Sequence, residues 1–387
     1  MGANIGVRDR RSAGFPERRR GALCGAIREE AEMSSKAVLA DPQAIREAAR
    51  SKEVPFWRRF LLRPEVGAVF GAVIIWIVFA LLAWDRGFVS ARGTATYLEV
   101  AAQLGILAVA VALLMIAGEF DLSVGSMIGA CSVIAALIPT QLGMNFWWGI
   151  VASLVFVLMI GFVNGVVVVR TQLPSFIVTL ASLFIIRGVT IGITRLVTGR
   201  TQVGGLQNVP GFDTAATIFG ADIPLFGAAF PVSIIWWMVV ASISTWILLR
   251  TQFGNWIFAV GGNQVAARMV GVPVNRVKIL LFMFTGFAAW LVAMIEVTSA
   301  RSADVLRGEQ REFYAIIAAV IGGVLLTGGY GTVIGAVLGA LIYGMVRQGV
   351  VFAGIDADWV QAVLGAMLLA AVLVNRYVRQ RAMGARG

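Results

Sequence analysis

Long apolar runs recur along the chain between Val66 and Val374. A helix needs about 20 apolar residues to cross a hydrocarbon layer of about 30 Å. The runs therefore predict ten membrane spans, near residues 65–84, 97–117, 121–140, 146–169, 173–193, 231–249, 277–299, 314–326, 330–352 and 357–375. This pattern indicates an all-α integral membrane protein.

The eighth predicted span, 314–326, is short and is bounded by paired glycines at 322–323 and 328–329. Glycine pairs permit a broken helix, and broken or re-entrant segments survive in a membrane only when they pack in protein or line water. We therefore expect about ten transmembrane helices, of which one or two are short or broken.

Composition strengthens the membrane interpretation. Hydrophobic residues make up 59% of the 387 residues and charged residues 14%, against about 25% charged in an ordinary soluble domain. The mean hydropathy is +0.84. The chain has no histidine, and Cys24 and Cys131 lie far apart. Histidine-based catalysis, a metal site and a disulfide framework are therefore not expected, and no catalytic residue or cofactor is predicted.

The positive charge is concentrated at the start of the chain. Residues 1–63 hold 14 Lys and Arg against 8 Asp and Glu, a net of +6 out of +11. This predicts a basic cytoplasmic tail over 1–62 and a membrane domain over 63–387. Residues 1–32 are Arg-rich and unpatterned, which fits either a disordered segment or a native start at Met33. The tail lacks interleaved aromatic residues and a binding motif, so no nucleic-acid partner is predicted.

Basic residues flank both ends of the membrane domain. Lys52, Arg58 and Arg63 precede the first span, and Arg376 and Arg379 follow the last one. The positive-inside rule then predicts that both termini lie in the cytoplasm, which requires an even number of spans. Two long loops result: 196–230 outside and 250–276 inside.

The chain carries no sign of a nucleotide site. A phosphate-binding P-loop needs a Gly-Lys dipeptide. The three lysines Lys36, Lys52 and Lys278 follow Ser, Ser and Val. We therefore predict a transport subunit that is not an enzyme and takes its energy from a partner.

Four motifs occur in order across residues 65–375. The segment 118–126 reads GEFDLSVGS; 161–165 reads GFVNG and is followed by LPSFIVTL at 173–180. FGN at 253–255 leads to GGNQVAARMVG at 261–271, and AAVIGG at 318–323 precedes GGYG at 328–331. Together they resemble the sugar-type ABC importer permeases of the ribose/xylose group, whose first motif is G-x-I-D-L-S-V-G.

The resemblance implies a permease of the bacterial inner membrane that carries a monosaccharide or related polyol. It also implies a cytoplasmic ABC ATPase subunit, a periplasmic sugar-binding protein and a second permease copy, most simply as a homodimer. The sequence departs from the family pattern in two places. Phe120 replaces the usual aliphatic residue before Asp121, where Glu119 is also acidic, and Val265 replaces the leading glutamate of the ATPase-coupling loop.

The resemblance and the polar pattern together nominate two sets of residues. The ATPase-coupling loop is predicted to use Gly262, Asn263, Ala266, Ala267, Arg268 and Gly271. Polar residues in or near predicted spans are candidates for the translocation path: Asp121, Ser123, Asn164, Ser175 and Thr179. The alternatives are an ordinary solvated connector for the first set and polar pairing between neighbouring helices for the second.

Three other functions stay open at this point. A branched-chain amino-acid permease is a related class, although the DLSVG and GGNxxAA segments favour sugar. An ion-coupled secondary transporter is disfavoured because no acidic residue is predicted at mid-membrane. A structural membrane protein without transport is the third alternative.

Overall fold

The computed structural model describes residues 64–384, with side chains for residues 66–373. The predicted tail over 1–62 lies outside the described residues. The thirteen α-helices of the described part are α1 (Pro64–Leu82), α2 (Ala91–Ile116), α3 (Val124–Leu142), α4 (Phe146–Thr171), α5 (Ser175–Thr198), α6 (Phe212–Phe219), α7 (Ser233–Arg250), α8 (Gln252–Gly262), α9 (Gln264–Met269), α10 (Val274–Ala300), α11 (Arg311–Ile321), α12 (Val333–Phe352) and α13 (Trp359–Gly384).

The all-α membrane architecture is confirmed. Within the described part, seven helices are long and apolar enough to span a bilayer: α2, α3, α4, α5, α7, α10 and α12. The apolar stretches 66–82 and 359–373 of α1 and α13 are shorter. With α11, these helices correspond to the ten predicted spans. At 11 residues, α11 is only about 16 Å long and reaches about halfway through a bilayer.

Several helices begin at side chains that cap exposed backbone N–H groups. Ser90, Asn145, Thr251 and Thr332 each accept a bond from an amide in the first turn of α2, α4, α8 and α12. These local signals explain why the helices start where they do, because the first N–H groups of a helix have no partner within it.

The buried core is built from α2, α3, α10 and α12. In α2, every residue from 104 to 116 is buried, as expected for a helix that is apolar on all sides. Helix α10 packs along α3 and α4, and α12 packs along α1 and α2. In contrast, only 17% of the membrane-length window of α5 is buried, against 83% for α2. Helix α5 therefore presents its apolar surface outward.

Glycines set the closest helix contacts. A Cβ atom placed on Gly161 of α4 would lie 2.5 Å from the Phe282 carbonyl oxygen of α10, and one on Gly339 of α12 would lie 1.9 Å from that of Ala318 in α11. Both distances are too short for any side chain. The small residues therefore allow backbone-to-backbone packing, as is common between membrane helices.

The chain between α11 and α12 is not helical. Helix α11 ends at Ile321 with Gly322 as its C-cap, and Gly323 adopts a φ of +91° that a residue with a side chain rarely takes. Nine residues later Thr332 caps α12. The expectation of a short, broken eighth span agrees with this arrangement.

Both long loops contain structure that the hydropathy pattern did not predict. The 196–230 loop holds β1 (Gln202–Val203), a 3-10 turn at Leu206–Asn208, helix α6, β2 (Asp222–Leu225) and β3 (Ala228–Pro231). Strand β1 pairs antiparallel with β4 (Ala303–Asp304), and β2 pairs with β3 in a hairpin. The 250–276 loop holds α8 and α9. These elements are too short to show a recognisable periodicity of hydrophobic residues in the sequence.

Candidate functional site

Asp121 lies fully buried between the end of α2 and the start of α3. Its Oδ1 atom accepts the Ser123 amide N–H at 2.9 Å and the Ser123 hydroxyl at 2.5 Å. Its Oδ2 atom accepts the hydroxyl of Thr285, in α10, at 2.6 Å. Three donors therefore compensate this carboxyl group for the loss of water, which a buried acid requires. Asp121 accepts hydrogen bonds from Ser123, the residue before α3, and does not cap the first turn of α3.

The hydrogen bonds continue from Ser123 into α4 and α5. The Asn164 side-chain amide donates to the Ser123 hydroxyl oxygen at 3.1 Å, and the Ser182 hydroxyl donates to the Asn164 carbonyl oxygen at 2.5 Å. We call Asp121, Ser123, Asn164, Ser182 and Thr285 the Asp121 cluster. It joins α4, α5 and α10 to the segment that precedes α3.

Two hydroxyls of α5 fasten the backbone beside this cluster. The Ser175 hydroxyl accepts the Phe120 amide N–H at 3.0 Å, and the Thr179 hydroxyl accepts the Leu122 amide N–H at 3.1 Å. Thr179 in turn donates to the Ser175 carbonyl at 2.8 Å. The backbone of 120–122 is thus held by side chains of another helix in place of regular secondary structure.

The five path candidates are therefore neighbours in space. Asp121, Ser123 and Thr179 are 0% exposed, and Asn164 and Ser175 are almost as well buried. Their polar atoms bond one another and the nearby backbone, which rigidifies the core at this point. That these residues line a translocation path stays a prediction.

Sequence reasoning missed Thr285 and Ser182, which complete the cluster. Both lie inside predicted apolar spans, and a hydroxyl residue in such a span is common because it can bond its own helix backbone. Only the contact with Asp121 or Asn164 distinguishes them, and that contact depends on the packing of helices distant in sequence.

The second candidate region is the 252–271 segment, which comprises α8, α9 and the two residues after α9. Asn263 separates the two helices and caps α9, since its Oδ1 atom accepts the Val265 and Ala266 amides, each at 3.0 Å. Gly271 follows α9 with a φ of +83°, a conformation that favours glycine. The Asn263 and Gly271 of the sequence motif are thus local requirements of this short helix.

One side of α9 is open and apolar. Met269 is 82% exposed, and Val265 and Val270 are also largely exposed. Arg268 is exposed and reaches the Asn275 side chain at 3.3 Å. Ala267 differs from the other predicted loop residues because it is buried against the body of the protein. An exposed apolar surface rimmed by charge is typical of a protein-docking site.

The 252–271 segment also contacts the membrane core through glycines. A Cβ atom on Gly261 would lie 1.7 Å from the Ile116 carbonyl oxygen and 2.6 Å from the Gly329 amide nitrogen. That amide donates to the same Ile116 oxygen at 2.8 Å. The end of α8 therefore packs directly on the end of α2 and on the segment between α11 and α12.

The described part of the chain contains no cluster of metal-binding side chains. Among residues 66–373, no group of three or more His, Cys, Asp or Glu side chains is close enough to hold a metal ion. Cys131 is free and buried in α3.

Comparison with known proteins gives a consistent picture. Residues 93–372 match the family described as branched-chain amino acid transport system / permease component. The chain is 34% identical to the ribose import permease protein RbsC of Escherichia coli K12, over 70% of this chain and 81% of that protein. It is 31% identical to the xylose transport system permease protein XylH of the same strain, over 83% and 94%. It is 30% identical to RbsC of Bacillus subtilis 168, over 81% and 92%. No solved structure matches significantly.

Proposed function

This chain belongs to the branched-chain amino acid transport system / permease component family, and we propose that it is the membrane permease subunit of a bacterial ABC importer for a monosaccharide or related polyol. In this proposal a separate cytoplasmic ATPase drives transport, and a periplasmic binding protein delivers the substrate. Its relatives named for ribose and xylose support the choice of sugar.

The exposed apolar side of α9 carries the proposal. Met269, Val265 and Val270 are exposed on, or directly after, a capped helix between α7 and α10, and the exposed basic residues Arg250, Arg268 and Arg276 lie in the same 250–276 loop. Basic residues mark the cytoplasmic side. A short, rigid, apolar helix there suits docking into a groove of the ATPase. It follows that both chain termini lie in the cytoplasm.

The outer surface supports delivery by a binding protein. Arg195 and Arg200 are exposed at the outer end of α5, and the β2–β3 hairpin lies in the same loop. Exposed arginines suit pairing with acidic residues of a partner, which favours fast association. The outward apolar faces of α4, α5 and α7 also leave room for a second permease copy in a homodimer, beside the lipid.

A branched-chain amino acid permease is the second candidate, because the matching family carries that description. The path candidates do not separate the two substrates, since hydroxyl and amide side chains accept either a polyol or an amino acid. The residues of this chain therefore do not identify the substrate, and a transport assay is needed to identify it.

The test is reconstitution of the full chain in proteoliposomes with an ABC ATPase subunit and a periplasmic binding protein from the same organism. A panel of labelled D-ribose, D-xylose, other monosaccharides, polyols, leucine, isoleucine and valine is offered. We expect uptake of a sugar or polyol that requires ATP and both partners. Uptake of a branched-chain amino acid would favour the second candidate, and uptake driven by an ion gradient alone would refute both.

A further inference from the structure

We propose that the buried Lys278–Glu119 ion pair, bonded to Gln264, is the joint through which the 252–271 segment moves the Asp121 cluster. This inference rests on the proposed function, because it concerns how ATPase binding would reach the interior. It assigns positioning roles to three residues outside both predicted sets.

The joint begins at the first residue of α9. The Gln264 side-chain oxygen accepts a hydrogen bond from the Lys278 ammonium group at 2.9 Å. Lys278 lies near the start of α10. Ala267 is the buried residue of α9, whereas Val265, Met269 and Val270 face outward. The Gln264–Lys278 bond therefore ties the docking face of the segment to a helix of the core.

Lys278 continues to the core through a salt bridge with Glu119. The Lys278 and Glu119 side chains are 7% and 9% exposed. A buried charge that leaves its partner becomes unpaired at high cost. The two side chains therefore move together, and a displacement of one is passed to the other.

Glu119 passes such a displacement to the Asp121 cluster. It lies two residues before Asp121, immediately after Gly118, whose φ of +85° turns the chain at the end of α2. The next residue, Phe120, is bonded to Ser175. The segment between Glu119 and Asp121 cannot shift independently of the cluster, because the backbone amides on both sides of Asp121 are hydrogen-bonded to hydroxyls of α5.

The contact at Gly261 restricts movement of α8 relative to α2. The backbone of Gly261 lies directly on the Ile116 carbonyl, with no flexible side chain between them that could adjust. A tilt of α9 therefore cannot be absorbed by sliding α8 along α2. It acts on Gln264 and Lys278 instead.

Contact along a chain of residues is not yet energetic coupling, so the test measures coupling. The variant Gln264→Leu keeps side-chain size and the buried ion pair but removes the acceptor for Lys278. Gln141→Leu, at an exposed position near the end of α3 and outside the 252–271 segment, is the matched control. Each permease is reconstituted with its ATPase and binding protein, and uptake of the panel substrate per ATP hydrolysed is measured together with ATPase affinity.

We expect Gln264→Leu to lower uptake per ATP at least fivefold while ATPase affinity stays within twofold of the unmodified complex, and Gln141→Leu to change neither. A ratio within twofold of the unmodified complex overturns the inference. So does a loss of uptake that merely follows a loss of assembled complex. Absence of ATP-dependent uptake by the unmodified complex would instead overturn the proposed function.

A charge exchange provides a second, independent variant. Glu119→Lys or Lys278→Glu alone leaves like charges buried together, and we expect little folded protein. The double exchange restores the ion pair in reverse, and the Gln264 amide can donate to the new carboxylate. We expect at least half of the native uptake per ATP. A folded double variant that hydrolyses ATP at the native rate without uptake overturns the inference.

Discussion

Removal of the Thr285 hydroxyl tests the energetics of the Asp121 cluster. Thr285→Val keeps the side-chain shape but deletes the 2.6 Å hydrogen bond to the Asp121 Oδ2 atom. A buried acceptor that loses a hydrogen-bond partner costs about 1–3 kcal/mol. Asp121 keeps its two bonds from Ser123, so we expect the free energy of unfolding to fall by about 2 kcal/mol, or about 30-fold in the folding equilibrium.

The matched control lies on the same helix. Thr298 is buried in α10 like Thr285. Each hydroxyl lies within bonding distance of a carbonyl oxygen of its own helix, that of Met294 at 2.7 Å for Thr298 and that of Phe282 at 2.8 Å for Thr285, but only Thr285 also bonds Asp121. The Met294 carbonyl keeps its backbone bond after Thr298→Val, so the expected loss is about 0.5 kcal/mol or less. Both variants are unfolded with SDS in detergent micelles and followed by tryptophan fluorescence. Losses equal within about 0.5 kcal/mol would refute the view that Asp121 depends on Thr285.

Two further predictions concern the 252–271 segment. Gly261→Ala places a methyl group against the Ile116 carbonyl oxygen, so we expect the free energy of unfolding to fall by about 1–3 kcal/mol in the same assay. Gly188→Ala, in open space on α5, is the control. Equal stability of the two variants would contradict the close contact. Asn263→Ala removes the cap of α9, which contributes about 1 kcal/mol, and we expect about fivefold weaker ATPase binding by microscale thermophoresis. Asn255→Ala on α8 is the control. Unchanged affinity in Asn263→Ala would show that the cap does not contribute to docking.

The sequence predicted the helices because helix formation in a membrane is largely a local property. An apolar run of sufficient length must satisfy its own backbone hydrogen bonds in lipid, and only a helix does so within one segment. The predicted span 146–169 thus corresponds to α4 and the span 277–299 to α10, within a few residues. The motif-based resemblance to sugar-type ABC importer permeases is confirmed by the ribose and xylose relatives.

The sequence also identified polar residues that would have to find partners, but not the partners. Asp121 and Asn164 stood out because polar side chains are costly in apolar surroundings. Nothing in the sequence gives Lys278 a partner, and nothing there separates Ala267, which faces inward, from its exposed neighbours. Its inward position depends on how α9 lies against α10.

The sequence by itself thus determined which segments are long and apolar enough to cross the membrane and which family the chain belongs to. The tertiary structure decided which side chains meet: Thr285 reaches Asp121 across 164 positions, and Lys278 reaches both Glu119 and Gln264. The reason is physical. Hydropathy and capping act within one helix, whereas the partner of a buried polar group depends on the rotation and depth of helices from distant parts of the chain, which close glycine contacts fix.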